Sequence, residues 1–322
     1  MEIQLQPYSD DHRATWEAFV GESNNGTLFH RRHFLAYHPK DRFVDHSLMV
    51  YKKGRLLALF PAAERQVEGQ RNLVSHPGSS YGGFVYPADL SIRDAFDMVG
   101  QLKRYARDAG FQRVQLTLPP AIYQQRVSNY LDFALLQNGF GYLKREVSSM
   151  LNIESEPEIN LTRFKATHRT AVRRAIKQGV QIRESEDYEA FYHILEQNLK
   201  IRHNVKPTHT LEELLDLKRR FPHEIRLFGA YHDNRLVAGV VNFTANASVV
   251  LAFYISHDEA FQHLRAVNLL FYEIIKWCHQ NGFRFLDFGI FTVNEEPNFG
   301  LGRFKERFGA SGVFRDTFLL AL

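Results

Sequence analysis

The chain holds a single cysteine, Cys278, among 322 residues, so no disulfide can form within it and a reducing, cytoplasmic setting is expected. Cys278 sits beside Trp277 in an apolar helical pattern, where a packed core thiol is expected rather than a nucleophile. No apolar run approaches the ~20 residues that a membrane helix needs. The start, MEIQLQPYSDD, is polar and alternating and has no secretory apolar core. A Gly-x-Ser-x-Gly turn, a lysine-bearing phosphate loop and a dinucleotide glycine fingerprint are all missing, which removes the hydrolase, nucleotidase and dehydrogenase classes those motifs mark. No metal site is expected. His30 and His33 have the spacing of a helical ligand pair, but Arg31 and Arg32 lie between them and no third ligand follows nearby.

Acid is also locally absent. From 159 to 183 there are seven basic residues (163, 165, 169, 173, 174, 177 and 183) and no acidic one, although the chain as a whole carries a formal charge of only +4. Such a segment suits an anionic partner more than the net charge does. What is abundant is apolar material, at 44% with 27 phenylalanines, and the length suits two cores better than one.

The pattern reads as two successive α/β halves, 1–155 and 156–322. In the first, a strand over 3–5 precedes a helix capped by Asp10 or Asp11, then a helix over 28–37 stopped before Pro39. Segments 47–51 and 55–62 form a hairpin about Lys52-Lys53-Gly54. A glycine-rich stretch, 77–86, leads to a helix from Ser91 to Ala109, a strand over 114–118, a helix to about Gln137 and a strand over 148–152. The basic helix 164–178 opens the second half. A strand over 181–184 follows, then helices capped by Asp187 and Thr210, and strands over 224–231, 235–243 and 249–255. A helix over 266–280, a strand over 285–288, a short helix at 304–308 and a strand over 313–320 complete it. Alternating strands and helices imply a mixed sheet in each half.

Four pieces carry a resemblance. They are the basic helix running into Gly179-Val180; the strands from Gly239 to an exposed Tyr254; Asn268-Leu269-Leu270 through Gly282 to Leu286-Asp287-Phe288-Gly289; and Arg303-Phe304-Lys305 with Phe308-Gly309. In this order they resemble the GNAT acyltransferases, and the doubled arrangement resembles the Fem-type peptidoglycan aminoacyltransferases. The resemblance implies tandem GNAT-like domains and acyl or aminoacyl transfer onto an amine of a cell-envelope precursor or amino sugar. The donor is aminoacyl-tRNA in the Fem branch and acyl-coenzyme A in the ordinary GNAT branch, with no tightly bound cofactor. A third reading is a binding protein that kept the fold without the chemistry.

Aminolysis needs a neutral amine, a stabilised oxyanion and a proton for the leaving group. Lys305 is the first candidate for stabilising phosphate or oxyanion charge, with Phe304 beneath it or against a donor base, and Arg303 beside them. The alternative for Lys305 is a solvated lysine on an amphipathic turn. Tyr254 is read either as orienting the acceptor or as a core tyrosine. Asp287 is read as a proton acceptor or as a turn cap. Arg169, Arg173 and Lys177 recur at four-residue spacing and so share a helix face, either a phosphate track for tRNA or a solvated surface. The loop 257–266 stands where coenzyme A phosphates would lie. It has no glycine and carries Asp258 and Glu259, which argues against that donor, while Arg265 at the helix start could still meet a phosphate.

Overall fold

The computed structural model describes residues 3–39, 41–203, 206–293 and 295–322. The chain divides into two compact units, Met1–Val147 with Val313–Leu322, and Ser148–Gly312. A linear split at 155/156 leaves the C-terminal segment with the second half, whereas the fold gives it to the first. The reason is pairing. The strand Ser311–Ala321 lies antiparallel to Arg113–Thr117, with Thr317 opposite Thr117 and Ala321 opposite Arg113.

In the first unit, Val44–Asp45, Ala63–Val67, Gln70–Ser75, Arg113–Thr117, the final strand and the strand Gly141–Asn152 lie in that order. A separate three-stranded sheet orders Ile3–Pro7, Leu48–Lys52 and Arg55–Phe60. The expected hairpin at Lys53-Gly54 is present, and a second one, Ala63–Val67 with Gln70–Ser75, was not read from the sequence. Its turn, Glu68-Gly69, has φ of 52° and 76°, the doubly left-handed geometry of a two-residue hairpin. Polar strands with no apolar alternation hid it.

Two helix expectations are corrected. The first long helix begins at Arg13, after a 3-10 turn over Asp10–His12, and no side chain caps it. The expected helix 28–37 is a 3-10 turn, Leu28–His30, and a short helix, Arg32–Leu35, broken at Arg31, whose ψ is 136°. The fully buried His30 causes the break. Its Nδ1 accepts the Thr27 N–H at 3.0 Å and its Nε2 lies 3.2 Å from the Gly82 carbonyl, which fixes the chain by tertiary bonds.

The second unit follows the sequence pattern closely. The end of Gly141–Asn152 is followed across the sheet by Phe285–Ile290, Val249–His257, Arg235–Thr244, Ile225–His232 and Gln181–Ser185. All neighbours are antiparallel except Val249–His257 with Phe285–Ile290, and the helix Ala266–Gln280 connects that parallel pair. The helix buries Leu269, Leu270, Phe271, Ile274, Ile275 and Cys278 against the sheet. The basic helix Ala166–Lys177 buries only Val172, Ala175 and His168. Among the described residues, no helix is long and apolar enough to cross a membrane.

Candidate functional site

The parallel strands pair only from Val249 opposite Phe285 to Leu251 opposite Asp287. Past that point Val249–His257 parts from this neighbour and pairs only with Arg235–Thr244, while Phe285–Ile290 bulges between Asp287 and Ile290, with Gly289 at φ 73°. A cavity of about 530 Å³ opens there. Ile255 and His257 from the end of Val249–His257, Arg265 and Asn268 from the helix start, and Leu301 and Phe304 from the helix Phe299–Glu306 line it. No carboxylate is among its lining residues.

Arg265 immediately precedes the helix Ala266–Gln280 in the left-handed conformation, φ 58° and ψ 31°. That geometry normally belongs to glycine, so the glycine missing from the loop is replaced by a strained arginine. No side chain caps this helix and no acid stands in its first turn. The Asn268 N–H donates to the Arg265 carbonyl at 3.1 Å, so the amides of Ala266 and Val267 are the ones that the helix leaves without an intrahelical partner, and the helix dipole adds positive potential at the cavity. Asn268, only 7% exposed, lines the cavity with its side-chain nitrogen unpartnered among the described residues. The two acids of the loop do not oppose an anion. Asp258 accepts the Ala260 N–H and the Arg235 guanidinium, and neither it nor Glu259 lines the cavity. The sequence argument against a phosphate at this loop is thereby corrected: the residue types were acidic, but their side chains are spent elsewhere.

Phe304 lies at the cavity, as its motif suggested, whereas Arg303 is exposed outside the lining. Lys305 is neither solvated nor open to the cavity. It is 2% exposed, and its Nζ donates to the carbonyls of Gly289 and Ile290, both at 2.7 Å. Burial pulls its pKa down to about 8, partly opposed by the Asp287 charge. Asp287 is fully buried, and its Oδ1 accepts the Gly289 N–H at 2.7 Å and the Ser148 hydroxyl at 2.5 Å. Ser148 had no sequence signal, because its partner is 139 residues away.

Tyr254 is buried, not exposed, and its strand runs three residues beyond it. Its hydroxyl accepts the His209 N–H at 3.0 Å and stands 2.9 Å from His209 Nδ1. Burial raises its pKa to about 12, so the phenol is protonated at neutral pH. Strand alternation points Tyr254 to the face opposite Ile255 and the cavity. The basic helix is not one open track. Arg169 donates to the carbonyls of Thr162 and Phe164, closing the end of the preceding turn, while Arg173 and Lys177 are exposed. His168, on the same helix, packs against Phe304 and Phe308, and burial followed by the charges of Arg307 and Arg265 lowers its pKa to about 4. Among the described residues, no group of three or more His, Cys, Asp or Glu could hold a metal ion.

Residues 162–306, which carry the cavity together with Lys305, Asp287, Tyr254 and His209, match the family model described as an acetyltransferase (GNAT) domain. The match lies within the second unit, and the enzyme class that goes with such a domain is acyl transfer. Across nearly the whole chain the fold is that of FemX, at a TM-score of 0.76 and 13% identity, with 99% of this chain and 97% of that one covered. A tandem GNAT protein from the clavulanic acid biosynthesis pathway aligns over 99% and 98% of the two chains at 12% identity and a TM-score of 0.57. The C-terminal domain of a putative lysylphosphatidylglycerol synthetase from Agrobacterium fabrum aligns over 97% and 92%, at 13% and 0.59. No curated protein matches the chain significantly in sequence. The protein is an acyltransferase with a tandem GNAT fold.

Proposed function

We propose that the protein transfers an acyl or aminoacyl group from a phosphate-bearing donor to an amine of a cell-envelope precursor, with the donor's phosphates held in the cavity at Arg265. The observation that carries this reading is the uncapped start of the helix Ala266–Gln280, opening on a carboxylate-free cavity beside Arg265 and Asn268. Backbone amides, a helix dipole and a guanidinium converging on one place bind phosphate well. Val237, Ile255 and Phe304 offer an apolar wall for the donor's arm. The reaction forms a C–N bond to the amine, breaks the donor's C–S or C–O ester bond and sends a proton to the leaving atom. Orientation of the two substrates supplies much of the rate.

An α-ammonium finds no carboxylate in this cavity, which favours an acyl-coenzyme A donor over an aminoacyl one. FemX, and the envelope context its fold suggests, supports the choice of acceptor class. Tyr254 and His209, on the opposite face, are assigned to orienting the acceptor, and Asp287 to holding the strand bulge between the substrates. Titration calorimetry with coenzyme A tests the donor site. Micromolar binding to the wild type, weakened in Asn268→Leu, is expected; equal binding by both removes the reading.

A second reading, aminoacyl-tRNA as donor, is favoured by exposed Arg173, Arg174 and Lys177 in a segment without acids. It requires tRNA affinity that falls steeply with added salt. Salt-independent binding, or none at low salt, eliminates it.

A further inference from the structure

We propose that Lys305 is a positioning residue: its buried ammonium pins the helix Phe299–Glu306 to the strand bulge at Gly289 and Ile290, and so sets the cavity wall formed by Leu301 and Phe304. The inference rests on the reading of that cavity as the donor site. Three ties join this short helix to the end of the bulged strand. Lys305 donates to two consecutive carbonyls at 2.7 Å. The Asn298 amide donates to the Phe291 carbonyl at 2.9 Å, at the point where Asn298 begins the helix. Gly302 lies so close to the Phe291 ring that an added Cβ would sit 3.2 Å from it.

The bulge is held from its other side by Asp287, which gathers the Gly289 N–H and the Ser148 hydroxyl. A continuous set of hydrogen bonds thus runs from Ser148 through Asp287 and Gly289 to Lys305, and Lys305 stands one turn after Leu301 and next to Phe304 in the helix. Two of the three ammonium protons are used in the clamp. The Asp287 charge favours the ammonium form, and the side chain is 2% exposed. A lysine meant to meet a phosphate or an oxyanion would present its head to the cavity, and this one does not line it. Removing the amine takes this donor from the part-buried carbonyls of Gly289 and Ile290, so the helix shifts before the fold is lost.

Lys305→Met, which keeps the volume and removes the donors, is compared with Lys305→Arg and with Ser148→Ala, which loosens the bulge without touching the lysine. The readouts are coenzyme A affinity by calorimetry, the separate changes in donor KM and kcat, and amide hydrogen exchange over 289–291 and 299–306. In Lys305→Met, exchange in both segments rises, coenzyme A binds roughly tenfold more weakly and the donor KM rises, while kcat changes by less than about threefold. Lys305→Arg restores part of the affinity, and Ser148→Ala shifts affinity in the same direction by less. A collapse of kcat with affinity and exchange unchanged overturns the proposal and returns Lys305 to the reacting atoms. If wild-type protein does not bind coenzyme A, the donor reading fails by itself. The clamp is then decided by exchange, and unchanged exchange in Lys305→Met sinks it.

Discussion

Each unit carries a parallel strand pair bridged by a long helix, and the two helices begin in opposite ways. In the first unit the pair is Gln70–Ser75 with Arg113–Thr117, and the helix is Ile92–Asp108. Ser91 caps it by accepting the Asp94 N–H, and Asp94, an acid in the first turn, is bonded by Lys52 at 2.5 Å. The glycine-rich loop before it spends its amides internally, Gly82 on the Thr117 carbonyl and Gly83 on the Ser75 hydroxyl. In the second unit the corresponding helix start has no cap and no acid, but an arginine and a cavity. The loop that looks made for phosphate is closed, and the loop that looks unsuited is open. Glycine content is a poor guide to an anion site; what counts is what lines the cavity at the helix start, here Arg265 and Asn268.

The sharpest way to break this comparison is charge reversal. Arg265→Glu should weaken coenzyme A binding by ~10- to 100-fold, the loss expected for a charge-assisted phosphate contact. Ser91→Ala should leave that affinity alone and instead cost about 1 kcal/mol in urea unfolding, the worth of an N-cap. Equal effects on binding from the two changes would erase the distinction between the units.

The units should also differ toward acid. Burial lowers His30 and His76 in the first unit, and His168 in the second, to about 4. Between pH 6.5 and 4 the unfolded chain binds more protons at these sites than the folded one, so stability is full above pH 6.5 and falls as pH drops through this window. For His30, which is fully buried, the loss is of order 3 kcal/mol. His30→Asn should flatten the pH dependence of the unfolding free energy over that range; an unchanged slope would contradict it. The smallest effect is strain relief. Arg265→Gly removes a left-handed non-glycine residue and should raise stability by about 1 kcal/mol while still weakening the donor, a separation that calorimetry and thermal melting together detect.

Much of the second unit was legible. The Thr210 cap forms a full capping box with Glu213, and Asp187 accepts the Ala190 N–H, because such bonds span three residues and leave a local trace. The helix Ala266–Gln280 was read to its ends for the same reason, since its apolar periodicity lies entirely within it. The first unit was harder. The hairpin over 63–75 lacks alternation, and the helix expected at 28–37 is broken by a histidine whose partner, Gly82, is 52 residues away. The motif at Gly302–Gly309 drew attention to Lys305 correctly as a residue, but its solvated and anion-facing readings both assumed a lysine head free of backbone partners.

By itself, then, the sequence determined the succession of strands and helices, the caps, and the acid-free basic helix, all set by neighbours within a few positions. Only the tertiary structure decided where the charges end up. It turned Asp258 toward Arg235, buried Lys305 on carbonyls of another strand, gave Asp287 the hydroxyl of Ser148, and placed the last strand in the first unit. Those outcomes depend on partners 15 to 200 residues distant, and no local pattern encodes such a pairing, because a polar side chain takes the donor or acceptor that burial leaves within its reach.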